Sequence, residues 1–197
     1  MARALLAEMD PALAELAAAD LDRLLDRIRN RSAGHEAPPA YRFRWQDAII
    51  EREIEPGASV LDLGCGDGEL LRRLVRGRNV RGQGIELDPE AVLRCVERGV
   101  PVIQADLDRG LSGYADGSFD YVVLEQTLQT LNRPTDVLNE ILRVGRKGIV
   151  SFPNFGHWRV RLELALLGRR PTAHLAGSSH GHWYDTPNIR PLTLEDF

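Results

Sequence analysis

The sequence predicts a doubly wound α/β fold with a mostly parallel sheet, and three features near its centre carry that prediction. The apolar run at residues 60–63 has the composition of a strand that is buried on both faces of a parallel sheet. The glycines of residues 64–68 then allow a sharp turn, and the apolar residues that follow fall at helical spacing. A second apolar run ends at the acidic residue Glu86. Strand, loop, helix and strand in this order are the unit of a doubly wound sheet.

The loop and the carboxylate together predict an adenosyl ligand. Gly64, Gly66 and Gly68 carry no Cβ atom, so a ligand can reach the main chain of the loop. The loop leads into a helix whose N-terminus favours anionic groups. Its apolar face is formed by Leu70, Leu71, Leu74 and Val75. Glu86 follows about twenty residues after the loop, at the end of the neighbouring strand, where a carboxylate accepts both hydroxyls of a ribose.

The glycine spacing favours S-adenosylmethionine over a dinucleotide. Dinucleotide folds use G-x-G-x-x-G, whereas here position 69 is Glu69 and the glycines follow the pattern G-x-G-x-G. Asp62 and Asp67 would repel a pyrophosphate, but a carboxylate can bind the ammonium group of a methionine tail. The tail's own carboxylate needs the N–H donors of the loop.

Over residues 54–150 the sequence resembles the class I S-adenosylmethionine-dependent methyltransferases, which have a Rossmann-like fold. The resemblance implies that Asp106, after the strand at 100–104, lies by the adenine amino group. It also implies that the stretch at 125–129, after the strand at 119–124, passes beneath the sulfonium. We therefore expect these cofactor-binding residues: Asp62, Gly64, Cys65, Gly66, Asp67, Gly68, Glu86, Leu87, Asp106, Leu107 and Glu125.

Two further elements complete the predicted sheet. Pro134 is a suitable first residue for a helix. One face of this helix is predicted to carry Val137, Leu138, Ile141 and Leu142. Residues 148–152 form the expected fifth strand, so strands and helices alternate along the chain.

Three longer strings are similar to the MetW family of methionine-biosynthesis proteins. They read PVIQADLD at 101–108, GIVSFPNFGHWRVR at 148–161 and WYDTPNI at 183–189. The resemblance implies a methyltransferase-like protein that binds S-adenosylmethionine or S-adenosylhomocysteine and acts with, or regulates, a homoserine O-acyltransferase. The alternative is a free-standing S-adenosylmethionine-dependent methyltransferase with a small-molecule acceptor.

His157 and Glu125 are the candidate catalytic residues, because both are predicted to follow strands at the edge where open α/β sheets bind ligands. Tyr184 and Asp185 are further candidates. A base is needed only if the methyl acceptor is protonated, and a histidine beside Trp158 can equally be a packing residue. Three further histidines, His174, His180 and His182, have no cysteine or carboxylate at ligand spacing, so no metal site is predicted.

Composition narrows the classes of partner. The chain has 197 residues, 43% of them hydrophobic, and a net charge of −4, which gives no reason to expect a nucleic-acid partner. Cys65 and Cys95 do not suggest a secreted disulfide scaffold. The absence of a signal peptide and of a long apolar run predicts a cytoplasmic protein without a membrane span.

The ends of the chain are predicted to differ from its centre. Residues 1–40 read as a helical extension, capped at Asp10 and ending near Asn30, followed by a linker, and residues 41–197 as the methyltransferase-like domain. The class closes its sheet with further antiparallel strands. At the C-terminal end, Thr193 to Phe197 only begin a capping box, so we expect an incomplete C-terminal end.

Overall fold

The computed structural model describes residues 45–167 and 190–197. Within these residues five strands form one sheet, in the order β3-β2-β1-β4-β5, and every neighbouring pair is parallel. The strands are β1 (Ser59–Leu63), β2 (Arg81–Glu86), β3 (Val102–Gln104), β4 (Phe119–Glu125) and β5 (Gly145–Ser151). The predicted doubly wound, mostly parallel fold is therefore confirmed.

Helices connect these strands. The α-helices are α1 (Trp45–Glu53), α2 (Glu69–Arg78), α3 (Pro89–Glu97), α4 (Pro134–Val144) and α5 (Trp158–Leu167), and two 3₁₀ turns cover Leu107–Arg109 and Leu128–Thr130. Asp88 caps α3, because its carboxylate accepts the backbone N–H groups of Glu90 and Ala91. A proline follows Asp88 in the first turn of the helix. Among the described helices, none is long and apolar enough to cross a membrane.

The core lies on both faces of the sheet, as alternation along the strands requires. Val60 in β1 packs on one face with residues of α1, α2 and α3, whereas Leu61 and Leu63 pack on the other with residues of α4. Leu71 of α2 and Ile141 of α4 are almost fully buried on these two faces. Burial of one such side chain stabilises the fold by about 2 kcal/mol.

The fifth strand begins three residues earlier than the sequence predicts. Gly145 follows α4 directly, and a Cβ atom at this position would meet the Val122 side chain and the carbonyl oxygen of Ile141. The turn from α4 to β5 is therefore tight, and the strand begins directly after the helix. The prediction for α4 also needs a correction: Leu142 is 74% exposed, because the apolar face of this short helix is narrower than the sequence suggests.

The predictions for the N-terminal extension and for residues 183–189, including Tyr184 and Asp185, lie outside the described residues. So do the predictions for His174, His180 and His182. At the C-terminal end, the carboxylate of Asp196 accepts the backbone N–H and the hydroxyl of Thr193, at 2.8 and 2.9 Å. This contact is half of the expected capping box.

Candidate functional site

The glycine loop joins the end of β1 to the start of α2. Gly64, Gly66 and Gly68 have φ angles of +73°, +56° and +74°. Residues other than glycine rarely adopt positive φ angles. The backbone N–H groups of Gly64 and Cys65 both donate to the carbonyl oxygen of Ile85, at 2.8 and 3.1 Å. The loop is thereby held against β2.

Two of the glycines are also required for packing. A Cβ atom on Gly64 would overlap the Thr127 side chain, and a Cβ atom on Gly68 would lie 2.9 Å from the Sγ atom of Cys95. Gly66 differs, because no atom of the described residues lies within 4 Å of the position that its Cβ atom would take. The space beside the Gly66 main chain is therefore open to a ligand, while its N–H and carbonyl groups already bond to Glu86 and to the Cys95 thiol.

The Glu86 carboxylate lies against this open point. Its Oε2 atom accepts the backbone N–H of Gly66 at 2.7 Å, and its Oε1 atom accepts the N–H groups of Leu87 and Asp88 at 2.8 and 3.0 Å. A carboxylate has about four lone-pair sites, so three backbone donors fix its orientation and leave acceptor capacity on Oε2. The structure thus brings together the loop and the carboxylate that the sequence singled out.

The two aspartates beside the loop have different surroundings. Asp62 lies in β1, pairs with Gly84 and Val123 in the neighbouring strands, and is only 3% exposed. Asp67 points instead to the end of α3, where its carboxylate forms a salt bridge of 2.7 Å with Arg98. Asp67 therefore fastens the loop to α3, whereas Asp62 provides a buried carboxylate next to the loop.

Cys65 can contribute only its main chain to a ligand site. Its side chain lies against Gly84, where a Cβ atom would overlap Sγ, and its Sγ atom is 3.9 Å from that of Cys95. Burial is the largest of the causes that raise the pKa values of both thiols. The neighbouring carboxylate of Asp62 raises the pKa of Cys65 further.

The residues predicted to contact adenine follow β2 and β3. Leu87 is 61% exposed and its carbonyl oxygen accepts the Gln104 amide at 3.3 Å, which links the two strand ends. Asp106 caps the first 3₁₀ turn, since its carboxylate accepts the N–H of Asp108 at 3.0 Å. Leu107 is buried in the core below that turn. An exposed leucine and a partly exposed carboxylate therefore border the same sheet edge as Glu86.

The end of β4 contributes buried polar side chains to this edge of the sheet. Glu125 is 9% exposed and pairs with Ser151 at the end of β5. Gln126 adopts a left-handed backbone conformation, with φ +52°. The buried Gln129 donates from Nε2 to the carbonyl oxygen of Gln126 at 2.6 Å, while its Oε1 atom has no hydrogen-bond partner among residues 45–167 and 190–197.

His157 lies in the turn between β5 and α5. Its backbone N–H donates to the carbonyl oxygen of Asn154 at 3.2 Å, and its ring packs on Trp158 with centroids 5.8 Å apart. The same turn pairs with Leu192 of the C-terminal segment, through Asn154 and Phe155. His157 is exposed and lies beyond the strand that carries Ser151, the partner of Glu125.

The sequence resemblance placed the stretch at 125–129 at the site, but it did not predict how Thr127, Gln126 and Gln129 shape this edge. Thr127 closes over Gly64, and its hydroxyl donates to the carbonyl oxygen of Glu125 at 2.9 Å. A threonine and two glutamines are ordinary loop residues, so no local pattern distinguishes them. The contact between Thr127 and Gly64 joins segments more than sixty residues apart.

The strand order and the paired glycine loop and carboxylate define the fold class of the S-adenosylmethionine-dependent methyltransferases. One solved structure with this fold is such an enzyme from Archaeoglobus fulgidus, with a TM-score of 0.58, 19% identity and coverage of 77% of this chain and 63% of that one. Another, described as a possible histamine N-methyltransferase from Thermotoga maritima, has a TM-score of 0.55 and 18% identity, with coverage of 76% and 63%.

The chain belongs to the MetW family, since the family model described as methionine biosynthesis protein MetW matches residues 44–197. A bifunctional methionine biosynthesis protein MetXA/MetW from Rhodopirellula baltica is 37% identical over 87% of this chain and 28% of its own length. A ubiquinone biosynthesis O-methyltransferase from Xanthomonas axonopodis is 32% identical over 74% of this chain and 62% of its own length. The chain therefore spans less than two thirds of either relative.

Proposed function

We propose that this chain binds S-adenosylmethionine or S-adenosylhomocysteine and acts with, or regulates, a homoserine O-acyltransferase of methionine biosynthesis. The observation that carries the proposal is the contact between the Glu86 carboxylate and the open main chain at Gly66, within a MetW-family fold. A ribose diol and a methionine tail need these two neighbouring features.

The described residues fit the cofactor by their chemistry. Glu86 holds the ribose hydroxyls, and the loop accommodates the methionine tail at Gly66, where no described side chain lies within 4 Å of the Cβ position. The buried carboxylate of Asp62 lies beside the loop, and a carboxylate is a suitable acceptor for an ammonium group. Leu87 and Asp106 border the adenine, and Glu125 borders the sulfonium. The loop residues Gly64, Cys65, Asp67 and Gly68 position the main chain, and Leu107 supports Asp106 from the core.

The proposed partner is supported by the bifunctional MetXA/MetW relative. Only 28% of that protein matches this chain, so the name assigns the MetW part to a minor share of a longer protein. We take MetXA to be the homoserine O-acyltransferase. Two activities that are joined in one chain in one organism commonly belong to chains that associate in another, which favours a complex here.

The cofactor site can report on methionine supply in such a complex. S-adenosylmethionine is made from methionine, so occupancy of the site follows the product of the pathway. The loop at 64–68 is held by β2, Thr127 and Arg98, and a bound ligand would tighten these contacts between separate elements. The coupling free energy between the ligand and the acyltransferase equals the difference between the acyltransferase's binding free energies for the ligand-bound and ligand-free forms of the chain.

The test combines two measurements on the full chain and the purified acyltransferase. Isothermal calorimetry with both adenosyl ligands should give saturable binding, and acyl transfer should change in rate when this chain is added. Absence of heat with either ligand would contradict the cofactor assignment. A failure to form a complex, together with an unchanged rate, would contradict the partnership.

A second candidate function is methyl transfer to a small molecule. The similarity to a ubiquinone biosynthesis O-methyltransferase favours it, since 157 residues align at 32% identity. Bound S-adenosylmethionine supplies an already activated methyl group, so most of the rate can come from positioning. Glu125 and His157 would then orient the acceptor or remove its proton. Transfer of labelled methyl groups to small molecules in a cell extract tests this function, and a chain that binds the cofactor but labels nothing would exclude it.

A further inference from the structure

A groove of about 820 Å³ lies at the opposite edge of the sheet from the cofactor site. Its lining includes the first residues of three strands, Ser59 of β1, Arg81 of β2 and Phe119 of β4. The cofactor residues lie at the other ends of the same parallel strands, as Glu86 does in β2. The groove therefore faces away from the cofactor residues, and Arg98, which pairs with Asp67 of the glycine loop, connects the two surfaces.

The described lining of this arginine groove carries positive charge and no acidic side chain. Its cationic residues are Arg72, Arg76, Arg81 and Arg98. The chain as a whole has a net charge of −4. The positive charge of this concave surface is thus opposite in sign to the net charge of the molecule. Surfaces of this kind attract anionic partners.

Two of the four guanidinium groups are already paired within the chain. Arg72 forms two hydrogen bonds with the carboxylate of Glu69 and lowers its pKa, and Arg98 forms the salt bridge with Asp67. Arg76 and Arg81 form neither a salt bridge nor a side-chain hydrogen bond within residues 45–167 and 190–197. Both are exposed, so they are the groups in the groove that remain available to a ligand.

The rest of the lining favours a protein partner. Val75 is 41% exposed, Pro101 is exposed and Phe119 is partly exposed, so apolar surface alternates with the arginines. Protein interfaces combine arginine with apolar side chains and are depleted in lysine. A phosphate ion would use only a small part of 820 Å³, and a nucleic acid would need a longer basic surface on a chain that is acidic overall.

From this we infer that the arginine groove docks an acidic segment of the homoserine O-acyltransferase. The inference rests on the proposed function and adds to it the surface that is used. Carboxylates of the segment pair with Arg76 and Arg81, since guanidinium groups bind carboxylates through two parallel hydrogen bonds. Apolar side chains of the segment cover Val75 and Pro101. The cofactor edge stays accessible in the complex.

The test compares charge reversal in the groove with charge reversal elsewhere. The double variant Arg76→Glu, Arg81→Glu should bind the purified acyltransferase at least about tenfold more weakly in biolayer interferometry, with much of the loss in the association rate. Arg52→Glu is the control for a charge reversal outside the groove, because Arg52 in α1 is 77% exposed and does not line the groove. Its affinity should equal that of the unchanged chain, and added salt should weaken binding by the unchanged chain.

The variants also separate the two proposals. Hydrogen bonds from Ser59 are the main cause of the lowered pKa of Asp120, and the nearby charge of Arg81 lowers it further. A glutamate at position 81 can therefore disturb folding, and the neutral pair Arg76→Gln, Arg81→Gln provides a second test. Both double variants should bind S-adenosylmethionine as the unchanged chain does. If the folded variants bind the acyltransferase with unchanged affinity, the groove inference is wrong and the proposed partnership stands. If the unchanged chain fails to bind the acyltransferase, both are wrong.

Discussion

The carboxylate of Glu86 accepts the backbone N–H of Gly66 at 2.7 Å, which joins the end of β2 to the middle of the glycine loop. The two residues are twenty positions apart and come from different strand–loop units. Their contact fixes the carboxylate before any ligand arrives. A fixed acceptor loses less entropy on binding than a mobile one, which favours affinity for a ribose.

Substitution Glu86→Gln should weaken binding of S-adenosylmethionine by about tenfold or more, because hydrogen bonds to a charged acceptor contribute roughly 1.5–3 kcal/mol. The measurement is isothermal calorimetry. Glu97→Gln is the control, since Glu97 is an exposed residue of α3, and it should keep the original affinity. Equal dissociation constants for Glu86→Gln and the unchanged chain would contradict the assigned role.

Substitution Gly64→Ala should destabilise the protein more than Gly66→Ala. Both residues have positive φ angles, so alanine costs about 1 kcal/mol at either position. Only at Gly64 does the new Cβ atom also overlap Thr127. Urea denaturation of the two variants measures the difference, and equal losses would show that Thr127 moves aside without cost.

Both cysteine thiols should resist alkylation in the folded protein. Cys65 is 8% exposed and Cys95 is fully buried, and burial raises the pKa of each thiol, which leaves little thiolate to react at neutral pH. Mass spectrometry after iodoacetamide treatment should find no label under native conditions and two labels in urea. Rapid native labelling of either residue would show that the loop opens readily.

The stability of the protein should fall between pH 4.5 and about 2, in part because of Glu140. Arg143 and the backbone N–H of Leu111 hydrogen-bond its carboxylate and lower its pKa from 4.5 to about 2. Since the folded-state pKa is depressed, the stabilisation is present above pH 4.5 and is lost as the pH falls towards 2. We expect Glu140→Gln to cost roughly 1–2 kcal/mol at pH 7.

The pH dependence separates this contact from an ordinary surface pair. Urea denaturation at several pH values should show less acid sensitivity for Glu140→Gln than for the unchanged chain. Asp136→Asn on the same helix is the control, because Asp136 and Arg133 are exposed and 3.9 Å apart. An acid profile of Glu140→Gln that matches the unchanged chain would contradict the role given to Glu140.

The order of strands and helices followed from local signals. The glycine spacing at 64–68, the carboxylate at Glu86 and the apolar runs report on backbone conformation and burial within a few residues, and both are encoded locally. Element limits were less predictable. The start of β5 at Gly145 depends on how closely α4 approaches Val122, which is a contact between separate elements.

The sequence by itself determined the fold class, the family strings and the residues proposed to bind the cofactor, because spacing and residue type carry that information. Only the tertiary structure decided that Thr127 closes over Gly64, that Asp67 pairs with Arg98, and that Arg76 and Arg81 share one groove. The first two of these relations join residues that are distant in sequence. They depend on which strand ends lie at the same edge of the sheet, and that arrangement exists only after the chain has folded.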